Sequence, residues 1–433
     1  MNYQDLKVFA LASQNAGELN QLRGALKAIA DLTADPDDIE HSFLLPGNAA
    51  SASEVKDSLY FSNFTSYDKF RKEVHRLIDI YFQKNTIVPK IFITVYNQAQ
   101  NKLAQKNIDM LCKAVKEYYK KHNLGTILTA VLTSRMHKYQ YVDLINVPKH
   151  LLTFRARIRL LQNKKLRKKV LITTGTINSF SRQNVKIKFK ELSQNLKKLK
   201  NNPDFSEWLK KFANFAQTPK KVVFCLGGRV DGAEIVFDIN YAKKLFNDAE
   251  RLAQNGFGIA MVNGPRTPND VTDFLYEQSL GHPRIIFHNC KKIAAGDEDR
   301  SPQRWRIYSG KNEDIFRHFE QIGNIYPAVL GYDNTLVVHT IDGYSCCETA
   351  MAAIPTAISS KGLYIDPSLR QDCLNLQLLM CPKYAIDWDD FVTLSCNMKI
   401  EPQNLNPQIL SSPLRVFAEM AINMLSQIYK PAK

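Results

Sequence analysis

Residues 336–356 read LVVHTIDGYSCCETAMAAIPT, and this stretch decides the fold. Its apolar start, LVV, predicts a buried strand that ends in the tight polar loop from Thr340 to Gly343. A helix then begins near Ser345 and continues through small residues. A helix N-terminus after a strand attracts phosphate or carboxylate, because its first N–H groups are free and the helix dipole is positive there. The stretch therefore predicts an anion-binding strand–loop–helix unit.

A second unit of the same kind lies upstream. Strand-forming residues 222–226 run into Gly227, Gly228 and Arg229, and a helical pattern begins near Tyr241. The glycines let the backbone approach a ligand closely, and the arginine can pair with phosphate, although a plain turn between strand and helix is the alternative. Two such units in one half of the chain predict an α/β domain that holds a nucleotide at its strand ends.

The composition is that of a globular protein with more than one hydrophobic core. At 433 residues, with 45% hydrophobic and 23% charged residues, the chain is expected to form two domains. No apolar run approaches the roughly 18–20 residues that span a bilayer, and the N-terminal sequence lacks the pattern of a secretory signal. The eight cysteines include no C-x-x-C pair, which indicates reduced thiols in a cytoplasmic protein rather than disulfides or a zinc site.

The positive charge is concentrated in one block, from Lys149 to Lys221. The block holds 20 Lys and Arg against three acidic residues, so its net charge of +17 accounts for the +16 of the whole chain. Such a block fits an anionic membrane surface, a nucleic acid or a phosphorylated substrate, and a solvated helical surface is the simplest alternative. Aromatic residues, on which single-strand binders stack bases, are sparse in it. We therefore expect no nucleic-acid partner and retain the membrane surface as a candidate.

Strand and helix patterns alternate along the chain, which predicts parallel sheets covered by helices. Strands are expected near residues 6–12, 91–96, 127–133, 141–147, 169–174, 222–226, 258–262, 284–287, 335–339 and 356–359. We predict an N-terminal domain over residues 1–215 and a C-terminal domain over residues 220–411, joined by a connection near residues 205–219. An amphipathic helix is expected over residues 412–433.

A third strand end carries the sequence NGPRTP. Thr267 is suited to cap the following helix, with Pro268 in its first position and Asp270 in its first turn. Capping explains these three residues but not Arg266, which lies where a diphosphate would bind beside the strand end. Arg266 is therefore a candidate anion contact.

Ser345 and Glu348 have the spacing of a capping box, so a purely structural role is one interpretation of Glu348. The other makes its carboxylate an acceptor for ribose hydroxyls, while the loop through Asp342, Gly343 and Ser345 donates backbone N–H groups. Asp342 can also simply close an Asx-type turn.

Glycines also follow two predicted strands of the N-terminal half, at Gly17 and Gly175. In a parallel sheet both loops lie at the same edge and face one crevice. Glu18 and His150 are the titratable residues near these strand ends, so they are candidates for acid–base chemistry. A structural role is the alternative for His150.

Taken in order along the chain, these segments resemble the mitochondrial-fission Elm-like family, which is related to the GT-B glycosyltransferases. Gly17, Asn20 and Gln21 are similar to the family's Gly-His-x-Asn-Gln loop, with Glu18 in place of the histidine. His150 ends a segment that is similar to the family's Pro-Glu-His-Asp strand end.

The resemblance continues along the chain. Gly175 lies in a segment similar to the family's Thr-x-Gly, and Gly227 with Gly228 is similar to its Gly-Gly strand end. Arg266 matches the second arginine of a Ser-Arg-Arg-Thr-Pro motif whose serine and first arginine are replaced here. Glu348 aligns with the glutamate of Asp-Ser-x-Ser-Met-x-x-Glu-Ala, with one residue fewer in the preceding loop.

The resemblance implies a GT-B-like α/β fold, in which two Rossmann-type domains face each other across a cleft and the C-terminal helix crosses back. It implies a metal-independent glycosyltransferase that moves a sugar from a nucleotide diphosphate sugar to a hydroxyl acceptor without a cofactor, and a membrane-linked acceptor is among those left open. Two D-x-D spacings, at residues 297–299 and 387–389, follow no predicted strand, which favours chemistry without a metal. The alternatives are a non-catalytic scaffold, since plant members are linked to mitochondrial division, and a nucleotide-binding protein without transfer activity.

The resemblance also distributes the predicted site over the two domains. The N-terminal domain, with its basic flank, would hold the acceptor or an anionic membrane surface, so the protein would be cytoplasmic and peripheral at the inner face of the membrane. Donor-binding residues are expected at the C-terminal strand ends: Gly227, Gly228, Arg229, Arg266, Thr267, Asp342, Gly343, Ser345 and Glu348. Residues of the acceptor cleft are expected to be Gly17, Asn20, Gln21 and Gly175, with Glu18 and His150 as catalytic residues.

Overall fold

The protein divides into two compact units. In the computed structural model the first unit comprises Met1–Ser179 with Ser411–Lys433, and the second comprises Phe180–Leu410. The structure describes residues 6–11, 16–32, 42–43, 65–84, 87–96, 102–133, 136, 139–149, 152–173, 175–180, 182–227, 237–293, 307–323, 325–340, 356–358, 386–387, 392–393, 396–397 and 413–428.

The first unit is built on a parallel sheet with helices on both faces. Its elements before residue 180 are β1 (Val8–Leu11), α1 (Ala16–Ala30), β2 (Ser42–Phe43), α2 (Tyr67–Lys84), β3 (Ile91–Tyr96), α3 (Lys102–Lys121), β4 (Leu128–Thr133), β5 (Leu144–Pro148), α4 (Phe154–Gln162), α5 (Lys164–Lys169) and β6 (Val170–Thr173). The described strands are ordered β2-β1-β3-β4-β5-β6, and every neighbouring pair is parallel. Because successive side chains of a strand point to opposite faces, Phe92 joins one core while Ile91 and Ile93 join the other.

The second unit is also a parallel sheet between helices. Its elements are α6 (Arg182–Leu199), a short 3₁₀ turn (Pro203–Phe205), α7 (Ser206–Gln217), β7 (Lys220–Leu226), α8 (Ile239–Gln254), β8 (Phe257–Asn263), α9 (Asn269–Leu280), β9 (Ile285–His288), β10 (Lys292–Ile293), β11 (Ile307–Tyr308), α10 (Glu313–Ile322), α11 (Tyr326–Val329), β12 (Thr335–His339), β13 (Thr356–Ile358) and β14 (Ile386–Asp387). The main sheet is ordered β14-β13-β12-β7-β8-β9, and β10 pairs with β11 apart from it.

The two sheets are wound differently. Counted along the chain, the strands of the second sheet follow the order 3-2-1-4-5-6 of dinucleotide-binding Rossmann folds, and the order reverses between β7 and β12. The first sheet follows 2-1-3-4-5-6, the flavodoxin-like order with one more strand, and it reverses between β1 and β3.

The last helix of the chain, α12 (Pro413–Ile428), belongs to the first unit. Its buried face, with Phe417, Ala421 and Leu425, shares a core with Leu22 and Ala25 of α1. The predicted return of the C-terminal helix to the N-terminal domain is therefore confirmed. Among the described helices, none is both long enough and apolar enough to cross a bilayer.

The structure moves the predicted domain boundary from near residue 215 to Ser179. Helices α6 and α7 were expected in the N-terminal domain, but Val185, Trp208 and Phe215 pack in the core of the second unit. The predicted connection is largely helix α7, and the basic block is divided between the two units. The boundary was misplaced because an amphipathic pattern shows that a helix covers a sheet but not which sheet it covers.

The predicted fold class, α/β with two Rossmann-type domains, is confirmed. Strands Ile91–Tyr96 and Thr335–His339 have the predicted bounds, as expected for uninterrupted apolar runs in a parallel sheet. The strands that the sequence did not predict are β2, β10, β11 and β14, each of two residues. Segments that short contain no periodic signal.

Candidate functional site

At the reversal of the second sheet, β7 and β12 end side by side. Gly227, directly after β7, donates its N–H to Thr340 Oγ1 at 2.7 Å, and the Thr340 N–H donates to the Cys225 carbonyl at 3.3 Å. Thr340 is buried, so these bonds fix the starts of both loops. In open α/β sheets ligands bind beside the carboxyl ends of the strands at such a reversal. The ends of β7 and β12 are therefore the first candidate for a binding site.

Between β8 and α9 the chain makes a β-turn that presents Arg266. The Thr267 N–H donates to the Gly264 carbonyl at 3.1 Å, so Pro265 and Arg266 are the two central residues of the turn. The Gly264 N–H donates to the Leu226 carbonyl at 2.9 Å, which fastens the turn to the end of β7. A Cβ at position 264 would lie 2.9 Å from that same oxygen, so glycine is what permits the close approach. Arg266 is thus held, half-buried, beside the end of β7.

Thr267 holds this turn and does not cap helix α9. Its hydroxyl lies 3.0 Å from the carbonyl oxygens of both Leu226 and Gly227, to which it donates. The helix begins at Asn269, and the residue before it makes no side-chain capping bond. The prediction that Thr267 is the N-cap is therefore wrong, because tertiary hydrogen bonds to β7 use the hydroxyl instead. Thr267 is 1% exposed and its hydroxyl is bonded within the turn, and its predicted contact with a donor stays a prediction.

Buried Lys291 lies next to the turn. Its Nζ donates to the Thr267 carbonyl at 2.8 Å and to Asn269 Oδ1 at 2.6 Å, and the side chain is 3% exposed. Burial lowers the pKa of Lys291 to about 8, although nearby aspartates, Asp273 first, oppose the lowering. The ammonium group is therefore still charged at neutral pH, and it is bonded to the carbonyl of the residue that follows Arg266.

Two buried asparagines join the ends of β8 and β9. Asn263 Nδ2 donates to Asn289 Oδ1 at 2.7 Å, and Asn263 Oδ1 accepts from the Cys290 N–H at 2.6 Å. Asn289 Nδ2 in turn donates to the Lys291 carbonyl at 3.0 Å. These bonds satisfy polar groups that would otherwise be costly to bury, and they join the loops that follow β8 and β9.

The histidines at this edge add no positive charge. Burial lowers the pKa of His288 to about 4 and that of His339 to about 3, so both rings are neutral at neutral pH. In the network described above, positive charge therefore comes from Lys291, with Arg266 at the tip of the turn. From the sequence, Thr340 was recognised only as the start of a loop and Lys291 was not recognised at all, although each is a polar residue close behind an apolar strand.

The other predicted donor residues divide into two groups. Gly227 lies at the reversal, where Thr340 already accepts its N–H, and its contact with a donor stays a prediction. The rest lie outside the described residues: Gly228, Arg229, Asp342, Gly343, Ser345 and Glu348.

In the first unit the structure brings Asn20 to the loop after β6. Asn20 Oδ1 accepts from the Ser179 N–H at 3.2 Å and also from the Ser179 hydroxyl. Gly24, one turn further along α1, lies against the same loop: a Cβ there would be 2.5 Å from the Asn178 carbonyl oxygen. Gly175 in this loop has a φ of +81°, a conformation that favours glycine. Two residues predicted for an acceptor cleft, Asn20 and Gly175, thus belong to one helix–loop contact.

The remaining N-terminal predictions concern the start of α1 and the end of β5. Gly17 and Glu18 lie in the first turn of α1 and not in the predicted loop, because the helix already begins at Ala16. Gln21 is buried, and His150 lies outside the described residues. The structure describes only the backbone at Glu18, so its pairing with His150 as catalytic residues stays a prediction.

Within the described residues, no group of three or more His, Cys, Asp and Glu side chains is arranged to hold a metal ion. Asp387, the first residue of a D-x-D spacing, lies at the carboxyl end of β14, a strand that the sequence did not predict. The other spacing, at residues 297–299, lies outside the described part.

Comparison with known proteins gives likeness in structure only. No protein-family model matches the chain, and no curated protein matches it. Among solved structures, it is similar to a UDP-glucosyltransferase from Polygonum tinctorium capable of glucosylating indoxyl and 3,4-dichloroaniline, with 11% identity, a TM-score of 0.43 and 99% of each chain covered. It is also similar to MurG of Acinetobacter baumannii, with 9% identity, a TM-score of 0.37, and 98% of this chain and 100% of that one covered. Identities this low say nothing about substrate or mechanism.

Proposed function

We propose that the second unit binds the nucleoside diphosphate part of a sugar donor at the carboxyl ends of β7, β8 and β12. The observation that carries the proposal is the Arg266 turn, which hydrogen bonds fasten beside the reversal of a sheet wound 3-2-1-4-5-6. Rossmann sheets of this order hold a pyrophosphate there. A guanidinium at the tip of the turn can form paired hydrogen bonds with phosphate oxygens. Buried Lys291 adds positive potential without contacting the ligand.

We further propose that the chain transfers the sugar to a hydroxyl acceptor. The acceptor oxygen attacks the anomeric carbon, the bond from that carbon to the diphosphate breaks, and a base takes the acceptor proton. Arg266 stabilises the charge that grows on the leaving diphosphate, so the proposed step needs no metal ion and no cofactor. Glu18 and His150 are the candidate bases, and Glu348 is the candidate acceptor for ribose hydroxyls.

Membership of the mitochondrial-fission Elm-like family is part of this proposal and is supported by the order of the motifs along the chain. That family leaves two other functions open, a non-catalytic scaffold and a nucleotide-binding protein without transfer activity. The replacement of the serine and first arginine before Arg266 favours these alternatives, because it removes groups that would contact the diphosphate.

The nucleotide site is tested by titrating uridine and guanosine diphosphates calorimetrically into wild type and matched arginine variants. Arg266→Ala is expected to weaken binding by about 1.5–3 kcal/mol, the usual contribution of a hydrogen bond to a charged group. Arg284→Ala is the control, because Arg284 is exposed and precedes β9 at the opposite edge of the same sheet. Equal affinity of wild type and Arg266→Ala for every diphosphate tried would contradict the proposed site.

Glu348→Ala separates the two interpretations of that residue in the same titrations. Loss of binding with an unchanged melting temperature supports the ribose contact, whereas a lower melting temperature with unchanged affinity supports the capping box.

Transfer itself is tested by donor turnover in excess chelator, with Arg266→Ala as comparison. Turnover by the wild type that survives the chelator and falls in the variant is expected. Activity that disappears with chelator and returns with magnesium or manganese would overturn the metal-free step, and Asp387 at the end of β14 would then be the first carboxylate to substitute. Nucleotide binding without turnover of any donor would favour the scaffold or binding-protein alternatives.

A further inference from the structure

Helix α4 exposes large apolar side chains to an extent seen nowhere else in the described part of the chain. Phe154 is 76% exposed and Leu161 is 75% exposed, whereas the other exposed large hydrophobic residues are at most 45% exposed. Ile158, at 37%, lies between them. At about 100° per residue these three side chains fall within roughly 60° of the helix circumference. They form one stripe on the side of α4 that faces away from the core.

The rest of α4 and α5 explains why the stripe is held outward. Leu160 of α4 and Leu166 of α5 are buried in the first unit's core. The Thr153 hydroxyl accepts from the Ala156 N–H at 3.3 Å at the start of α4. Asn163 lies between the helices, where its Oδ1 accepts the Leu166 N–H at 2.9 Å. Both helices are therefore capped and anchored, and their orientation leaves the stripe without a partner in the described part of the protein.

The same helix pair carries a dense and uncompensated positive charge. The 16 residues from position 154 to 169 include no Asp or Glu and eight Lys or Arg: Arg155, Arg157, Arg159, Lys164, Lys165, Arg167, Lys168 and Lys169. Lys169 Nζ donates to the Val142 carbonyl, and none of the eight pairs with an acidic side chain of the described residues. Apolar side chains surrounded by long cationic ones are the composition of helices that lie in a membrane interface.

We propose that α4 and α5 form a docking surface for an anionic lipid bilayer, with Phe154, Ile158 and Leu161 inserted among the acyl chains. The surrounding Lys and Arg would extend their charged ends to the lipid phosphates while their aliphatic stems cover the apolar boundary. This surface lies in the first unit and includes only residues 154–169 of the basic block. Docking does not require the donor site, so either proposal can fail without the other.

The apolar stripe favours a bilayer over a nucleic acid as the partner. Phosphates of a polynucleotide would pair with the cations but would leave Ile158 and Leu161 in water, and only one aromatic residue of the stripe could stack on a base. A bilayer covers both kinds of side chain at once, because headgroups and acyl chains lie next to each other at its interface.

Flotation of the full chain with vesicles tests the proposal. We expect partitioning onto mixed phosphatidylcholine–phosphatidylglycerol vesicles to exceed that onto pure phosphatidylcholine by at least tenfold at about 0.1 M salt, where the Debye length is about 10 Å. The triple variant F154A/I158A/L161A keeps all eight cations and should lose at least tenfold of that partitioning. The triple variant R155Q/R157Q/K165Q keeps the stripe and should lose the preference for anionic vesicles.

The matched control removes three cations from the same basic block but in the second unit. K186Q/K190Q/K197Q alters exposed lysines of α6 and should change partitioning by less than about twofold. Phe154→Trp adds a fluorophore to the three native tryptophans. Brominated lipid should quench the fluorescence of this variant more than that of the wild type. No partitioning, or an equal loss in the α6 control, would overturn the proposal. Tight binding to a single-stranded oligonucleotide that F154A/I158A/L161A leaves intact would overturn it in favour of a nucleic-acid surface.

Discussion

The two units hold the loops at the carboxyl ends of their strands by different means. In the second unit polar side chains do it: Thr340, Thr267 and Lys291 tie loops that follow different strands through hydrogen bonds. In the first unit a helix does it, since Gly24 of α1 lets the helix backbone approach the loop after β6, and Asn20 fixes the contact.

Because of this difference, the two units should be sensitive to different perturbations. A network of buried polar groups holds charge and geometry at a ligand site, and the buried titratable groups at the same edge, His288, His339 and Lys291, make the unit sensitive to pH. A close helix–backbone contact contains no titratable group, and it is disrupted when a side chain is added at the point of closest approach. The stability of the second unit should therefore depend on pH, whereas the stability of the first should depend on side-chain volume at the helix–loop contact.

The largest expected effect is acid destabilisation of the second unit. The pKa of His288 is lowered to about 4 and that of His339 to about 3, both by burial, from the ordinary value near 6.5. Because the folded pKa values lie below the unfolded one, the stability of the neutral rings is fully present above about pH 6.5 and is lost as the pH falls toward about 4 and 3. At about pH 5 each histidine should cost about 2 kcal/mol of stability.

Hydrogen exchange resolved by peptide at about pH 7 and about pH 5, corrected for intrinsic rates, checks this prediction. Protection should fall in β9 and β12 far more than in β3 and β4. His75 of the first unit also has a pKa lowered by burial, but it is only half-buried, whereas His288 and His339 are fully buried. His288→Leu should flatten the pH dependence even if it lowers stability at neutral pH. An equal loss of protection in both sheets would contradict the contrast between the units.

The sequence predicted the sheets better than the contacts at their edges. Buried parallel strands are continuous apolar runs, so the bounds of β3 and β12 followed from local pattern alone. The bond from Gly227 to Thr340 joins residues 113 positions apart, and no local pattern predicts it. Thr267 has the local pattern of an N-cap, but its bonds to β7 decide its role. The motifs indicated where the chain leaves each strand, and only the packed structure shows which polar groups are already paired.

The second effect in size concerns the first unit. Gly24→Ala would place a Cβ 2.5 Å from the Asn178 carbonyl oxygen, an approach that backbone atoms cannot relieve without moving the loop. We expect a loss of about 1–3 kcal/mol in the free energy of unfolding, as for other overpacked sites. Urea unfolding measures it, with Gly281→Ala as control, because a Cβ at Gly281 meets nothing within 4 Å. Diphosphate affinity should not change, and a Gly24 variant as stable as the wild type would show that the loop is not held by this contact.

The smallest effect returns to the second unit at alkaline pH. The pKa of Lys291 is lowered to about 8 by burial, below the unfolded value of 10.5, so the folded unit releases this proton first. Stability should therefore rise with pH between about 8 and 10.5, by about 1.4 kcal/mol at about pH 9. The Lys291→Met variant should lack this rise, and comparing the two proteins cancels titrations that they share. A bound diphosphate should suppress the rise as well, because an anion near the ammonium raises its pKa. If nucleotide binding takes up no proton near pH 8 in the wild type, Lys291 supports the Arg266 turn mechanically, and its charge does not act on the ligand.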